Sequence, residues 1–365
     1  MNFKLGLIGA GNIAKAHVAA AADLQSAIPG LRISAVADPV ATSAEAMAAE
    51  TGAKAYADLT ALLAECPAED RPDALVVCTP PSARVDVVRQ ALAAGLPVLI
   101  EKPPAHTVTH TEQLLKMSQD HPDLPCLIGF CHRFTPAVDT IIEQVNAGLI
   151  GDVVRYENTF AANLPHLQDA WMSDPQISGG GSLIDTGLHS IDLFRYLFGD
   201  ASLEGAVLRQ GWPGRGESNA TILLSSTPEP GAIRDATGVA GAIACGWAEA
   251  TRFTLSVVGT LGTLSYDFED ACVLRHTTTQ GEVADLEVQT HEVRFARQMQ
   301  AFIDACQNGS TAQPVCGFDQ GLEAMRLIAD AANLDAGRAT WRETKALTPQ
   351  IVQRQPAPPA AVVGK

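Results

Sequence analysis

Three stretches of this chain hold residues whose types and spacing could do chemistry. The first is Gly179-Gly-Gly-Ser-Leu-Ile-Asp185-Thr-Gly-Leu-His189-Ser-Ile-Asp192. If it is helical from about Ser182, Asp185, His189 and Asp192 share one face, while Leu188, Ile191 and Leu193 turn toward a core. A row of Asp, His and Asp wastes core-facing area unless it lines a cavity or makes hydrogen bonds. An imidazole with its ordinary pKa of about 6.5 can take or return a proton near neutral pH. An isolated helical histidine is usually structural. The three preceding glycines point the other way, because they leave room for a ligand at the helix start.

The second stretch is Val98-Leu-Ile-Glu101-Lys102-Pro103. Its lysine follows an apolar run that reads as a strand, and a proline stops the strand there. A cation at the carboxyl end of a parallel strand lies at the crevice where nucleotides bind, and it could hold a developing alkoxide. The third is Lys4-Leu-Gly-Leu-Ile-Gly9-Ala-Gly11-Asn12-Ile13-Ala14. Gly9 permits a tight strand-to-helix turn, Gly11 lets backbone approach a pyrophosphate, and Ala14 keeps helix and strand close. The helix start then offers unpaired N–H groups and a positive dipole end to the phosphates. Asp38 lies 27 residues after Gly11 and ends the next strand. Its carboxylate suits the two hydroxyls of an adenosine ribose and would repel a 2′-phosphate, with no Lys or Arg between it and Lys54 to offset that. NAD is expected over NADP.

The elements that must position these residues follow from the apolar pattern. Up to about residue 130, buried strands near 4–8, 31–37, 73–79, 97–100 and 126–130 alternate with helices, the signature of a doubly wound parallel sheet. Beyond it come a helix at 134–147, a strand at 151–160, an irregular stretch at 161–178 and the helix with His189. Strands then succeed one another at 203–211, 219–226, 241–250, 252–258, 262–268 and 270–276, implying a second, mainly antiparallel open sheet. Turn residues at 228–231 and 259–262 separate some of them. Two amphipathic helices follow, at 293–306 and 318–335. The expected organisation is a Rossmann domain over 1–130, a substrate and oligomerisation domain over 131–350, and a disordered tail over 351–365.

Composition narrows the classes. The 365 residues carry a formal charge of −16, which argues against a nucleic-acid partner. No apolar run approaches the roughly 18 residues of a membrane span. The first strand begins at residue 4, which is read as leaving no room for a signal peptide. Eight cysteines are scattered without a C-x-x-C pair, so they read as small buried hydrophobes in a reducing cytoplasm, with no metal site.

Taken in order, Gly9-x-Gly11-x-x-Ala14 with His17 on the following helix, Glu101-Lys102-Pro103, Gly129-Phe130-x-x-Arg133-Phe134 and 179–192 resemble the Gfo/Idh/MocA family of glucose–fructose oxidoreductase and inositol dehydrogenase. The likeness covers about residues 3–345. It implies NAD(P)-dependent oxidation or reduction of a sugar, polyol or relative, and a C-terminal sheet that packs as a homodimer or homotetramer. By that resemblance Lys102 meets substrate and nicotinamide ribose, His189 is the acid/base and Asp185 its partner. The cofactor-facing residues are then Gly9, Gly11, Asn12, Ile13, Asp38, Thr79, Pro80, Glu101 and Lys102. Substrate is expected against Lys102, Asp185 and His189, with Asn163, His166 and Trp171 from the irregular stretch. Arg133 is expected to pair with a carboxylate near the domain junction.

Pro81 and Arg84 stand where Asn and His are common in the family, Cys131 where Asn is, and Met172 where Arg is. These departures bear on substrate identity more than on reaction type. An NAD-dependent glycosidase on this scaffold is disfavoured by Lys102. A sensor without turnover is disfavoured by the intact Lys102, Asp185 and His189.

Overall fold

Short runs of Val, Ile, Leu and Ala with no polar face can be satisfied only as strands buried on both sides. The computed structural model describes residues 2–227, 231–234, 236, 238–309 and 314–342. The expected turn at 228–230, the domain end at 343–350 and the tail at 351–365 lie outside them. In the N-terminal half β1 (Lys4–Ile8), α1 (Asn12–Leu24), β2 (Arg32–Ala37), α2 (Ala41–Thr51), β3 (Lys54–Tyr56), α3 (Leu59–Glu65), β4 (Ala74–Val77), α4 (Arg84–Ala93), β5 (Val98–Glu101), α5 (Val108–Asp120) and β6 (Cys126–Gly129) alternate. The six strands form one parallel sheet in the order β3-β2-β1-β4-β5-β6. Strand order reverses between β1 and β4, and a crevice opens beyond their carboxyl ends.

The chain continues through α6 (Pro136–Asn146), β7 (Val153–Asn163), α7 (Pro175–Ser178), α8 (Leu188–Phe198), β8 (Ala201–Arg209), β9 (Asn219–Ser226), β10 (Ala240–Gly246), β11 (Ala248–Gly259), β12 (Gly262–Asp267), β13 (Val273–Thr278) and β14 (Val283–Glu287). A second sheet of eight strands results, ordered β14-β13-β12-β11-β7-β10-β9-β8. Neighbours are antiparallel except β7 and β10, which run parallel. Its strands alternate: in β9, Ile222 and Leu224 are buried while Leu223 between them is 50% exposed. The buried face packs on α8, whose Leu188, Ile191, Leu193, Phe194, Leu197 and Phe198 are all enclosed. A helix apolar on nearly every side must be covered on several sides, and α8 packs on β7, β8 and β10 and also against the last helix, Phe318–Arg342, and the turn Cys131–Phe134.

The last helices return to the parallel sheet. In α9 (Arg294–Asn308), Met299, Phe302 and Ile303 join Phe3, Leu5 and Leu7 in one core cluster, and α10 (Phe318–Arg342) contacts α5 and β8. Among the described residues no helix is long and apolar enough to cross a membrane.

Candidate active site

A cleft of about 720 Å³ runs along the carboxyl ends of the parallel strands. Gly9, Gly11, Asn12, Ile13, Asp38, Thr79, Pro80, Glu101 and Lys102 all line it, together with Trp171 and Asp185. Gly9 has φ +98°, and a Cβ there would lie 2.8 Å from the Cys78 carbonyl carbon, so only glycine turns the chain this tightly. A Cβ on Gly11 would meet nothing within 4 Å. The helix it opens has no side-chain cap and no acidic residue in its first turn, which leaves its N–H groups facing open space. These features fit a dinucleotide pyrophosphate. Asp38 holds the neighbouring turns by accepting from the N–H of Ala10 (2.7 Å) and of Val40 (2.8 Å). One lone pair on each oxygen remains for a ligand hydroxyl.

Glu101 is buried, with its side chain directed into the protein: Oε1 lies 2.8 Å from His17 Nε2, and Oε2 accepts from the Lys102 N–H at 3.2 Å. Burial alone would raise this carboxyl. His17, Lys102 and Arg84 outweigh burial and hold it below its ordinary value. Arg84 explains its own departure from the family pattern. Its guanidinium donates to the carbonyls of Thr79, Glu101 and Pro103, tying the ends of β4 and β5 together. Burial pushes its pKa down to about 10, which leaves it charged at neutral pH. The lysine therefore leaves the strand from a rigid base. Its Nζ donates at 2.8 Å to both the backbone oxygen and Oδ1 of Asp185.

Asp185 does not stand in a row with His189 and Asp192. Residues Leu183–Gly187 form a wide π-turn, so Asp185 precedes the regular helix α8 that carries His189 and Asp192. Asp185 faces the cleft, where its Oδ2 also accepts from Trp247 Nε1 at 3.2 Å. His189 faces a second cavity, and Asp192 is sealed against Arg133. Among the described residues no hydrogen bond joins Asp185 to His189. Nor do the three glycines all make room for a ligand. A Cβ on Gly179 would strike the His106 carbonyl oxygen at 2.1 Å, and one on Gly181 the Glu217 carbonyl oxygen at 2.0 Å. They let this loop pack against its own chain, where Glu217 accepts the N–H groups of Ser182 and Leu183.

The second cavity, about 260 Å³, is lined by His132, Phe160, Thr186, His189, Phe253, Phe268, Glu269, His291 and Arg294. Its polar residues come from four distant parts of the chain, and sequence spacing passed over all of them except His189. The rings of His132 and His189 meet edge to face with centroids 4.6 Å apart. Burial pushes both pKa values well below the ordinary range, and for His189 the nearby His132, Lys102 and Arg294 push the same way. Trp247, stacked on Trp212 at 6.0 Å, was also missed. Of the residues expected from the irregular stretch, Trp171 reaches the first cavity, whereas Asn163 and His166 are exposed and line neither.

A glycine turn opening on an uncapped helix at the carboxyl ends of a parallel sheet defines a nucleotide-binding protein of the Rossmann class. The profile of the oxidoreductase family with an NAD-binding Rossmann fold, GFO_IDH_MocA, matches residues 3–130, and that of the GFO/IDH/MocA C-terminal domain matches 138–265. The chain belongs to the Gfo/Idh/MocA family. It is 31% identical over 198 residues to the rhizopine catabolism protein MocA of Rhizobium meliloti, a match covering 54% of this chain and 57% of MocA. It is 26% identical over 347 residues to inositol 2-dehydrogenase of Rhizobium meliloti, covering 91% and 96% of the two chains. A solved structure of levoglucosan dehydrogenase in complex with NADH and levoglucosan superposes with a TM-score of 0.80 over 92% of this chain and 98% of that one. At 20% identity this last likeness speaks for the fold.

Proposed function

We propose that this protein is an NAD-dependent dehydrogenase oxidising a secondary hydroxyl of a sugar, sugar derivative or cyclic polyol. The observation that carries the reading is the Lys102 ammonium held at 2.8 Å by Asp185 on the wall of the dinucleotide cleft, one helical turn before a buried neutral histidine. Inositol and levoglucosan dehydrogenases among the relatives support the substrate class.

Gly9, Gly11 and the start of α1 would hold the pyrophosphate of NAD, and Asp38 its ribose; the bound cofactor would supply the hydride acceptor for the carbinol carbon. Lys102 spends two of its three N–H donors on Asp185, and the third points the positive charge at the reacting oxygen. His189 takes the hydroxyl proton as the carbonyl forms. It does so through Nε2, because Nδ1 is sealed in the protein.

The test is a panel of sugars, inositols and sugar acids scored for NAD reduction, followed by His189→Ala. We expect turnover in the panel and a loss of about 10²–10⁴ in kcat with NAD affinity nearly unchanged. Burial and neighbouring cations keep His189 neutral, so the acid limb of wild-type oxidation falls below the ordinary histidine value and vanishes in the variant. A variant turning over like wild type hands the role of base to another group, Lys102 first. A wild type that binds a sugar tightly yet reduces no NAD is a sensor.

A further inference from the structure

The second cavity holds one lasting positive charge, that of Arg294, among the neutral rings of His132 and His189, with His291 and Glu269 also on the lining. Nδ1 of His132 and Nε of Arg294 are buried without a hydrogen-bond partner. Arg294 is the first residue of α9, where the helix dipole opposes a cation and favours an anion. Its partners are the His291 carbonyl at 3.0 Å, the face of Phe295 at 5.0 Å and the Cys131 side chain; among the described residues it forms no salt bridge. Of the carboxylates around it, Glu269 on the lining and Glu292 beside His291 are exposed, while Glu101 and Asp185 are turned to His17 and Lys102. Leaving a guanidinium N–H unpaired in a small, partly apolar hole is costly unless an acceptor enters it.

A metal cation is the competing occupant, since ligand atoms of Cys131, His132 and His189 lie within 4.8 Å of one another. Burial pushes the Cys131 thiol up to about 11, so a metal would have to displace its proton to bind there. Arg294 and Lys102 would repel the ion. The same charges attract an anion.

The cavity shares a wall with the cofactor cleft: Asp185 lines one, while Thr186 and His189 line the other. Resting on the dehydrogenase reading above, we propose that this cavity seats an anionic group of the substrate, a carboxylate or phosphate carried on the sugar or cyclitol ring. Arg294 is its principal anchor, and the N–H groups of His132 and His291 complete the cradle. Phe160, Phe253 and Phe268 cover the apolar face of the ring. A substrate gripped there turns a neighbouring hydroxyl toward His189 and Lys102. Arg294 is then the residue that sets specificity.

Two measurements test this. The first is kcat/KM with NAD for matched pairs: galacturonate against galactose, glucuronate against glucose, and glucose 6-phosphate against glucose. The second is calorimetric binding of the same compounds to the NADH-saturated protein. An acid or phosphate should exceed its neutral counterpart by about 10–10²-fold, the worth of a charge-assisted hydrogen bond. The stronger of the two arms names the anion. Arg294→Met should lower the acid-to-neutral ratio by a similar factor, chiefly through KM, and Arg294→Lys should restore part of it. Should Arg294→Met fail to fold, His291→Leu provides the same test with a smaller loss. Equal use of acids and neutral sugars overturns the inference and leaves the dehydrogenase reading standing. Acid binding that is lost in Arg294→Met, in a protein without turnover, supports the anion site and sinks the dehydrogenase instead. Failure of every acid and phosphate to bind overturns it, as does zinc binding that depends on Cys131 and His132.

Discussion

Lys102–Asp185 and Arg133–Asp192 both join the helical segment 183–198 to residues just beyond parallel strands, at 2.8 and 2.6 Å. Their surroundings differ. The side chains of the first pair are 17% and 29% exposed, and those of the second 2% and 1%. Arg133 grips both oxygens of Asp192, donates to Val315 O and Gln320 Oε1, and lies over the Tyr196 ring at 5.1 Å. Lys102 keeps a donor in hand and sits at the edge of a cleft. A saturated, water-free pair holds two layers together, while a half-open one with unused hydrogen-bonding capacity is available to a substrate.

Breaking the sealed pair should have the larger effect, and on stability. Asp192→Asn leaves the buried Arg133 charge without its carboxylate and should cost about 3–5 kcal/mol in urea unfolding. The turnover of molecules that remain folded should change little. A cost below about 1 kcal/mol would mean that Arg133 finds other compensation and that the pair does not bind the layers.

Lys102→Met sharpens the contrast from the other side. It retains the apolar stem and removes the charge, and kcat/KM should fall by about 10²–10³, with NAD affinity and melting temperature little changed. A large drop in melting temperature with turnover intact would reverse the assignment of the two pairs.

Asp38 lies between these cases, half-buried with one lone pair spoken for on each oxygen. Facing a 2′-phosphate, it should cost on the order of 1–3 kcal/mol, giving NAD an advantage of about 10–10² in kcat/KM. Equal or better use of NADP would show that the ribose hydroxyls lie away from this carboxylate.

Much of the fold was legible because its signals are local. Strand and helix alternation before residue 130 follows from apolar runs of fixed period, and the glycine turn at Gly9 and Gly11 is a property of a few consecutive residues. The succession of strands after residue 200 likewise announced a second sheet, although β3 and β14, short and largely exposed, carried too little apolar pattern to be read. Arg133 could be assigned a carboxylate partner in advance, because a buried guanidinium needs one.

The chain's own spacing could not reveal which distant residues meet. Asp185 lies in the π-turn at Leu183–Gly187, ahead of the regular helix with His189 and Asp192, and the three reach different settings that helical spacing does not encode. The glycines before it serve close backbone packing against His106 and Glu217, contacts known only once the loop is folded. The same holds for Arg84 across the ends of β4 and β5, for Trp247 on Asp185, and for Arg294 and His291 beside His132. Sequence alone determined the elements and the cofactor turn, because backbone geometry and apolar periodicity act over a few residues. Tertiary packing decided the electrostatics of the substrate side, because charge and burial there arise from side chains more than a hundred residues apart.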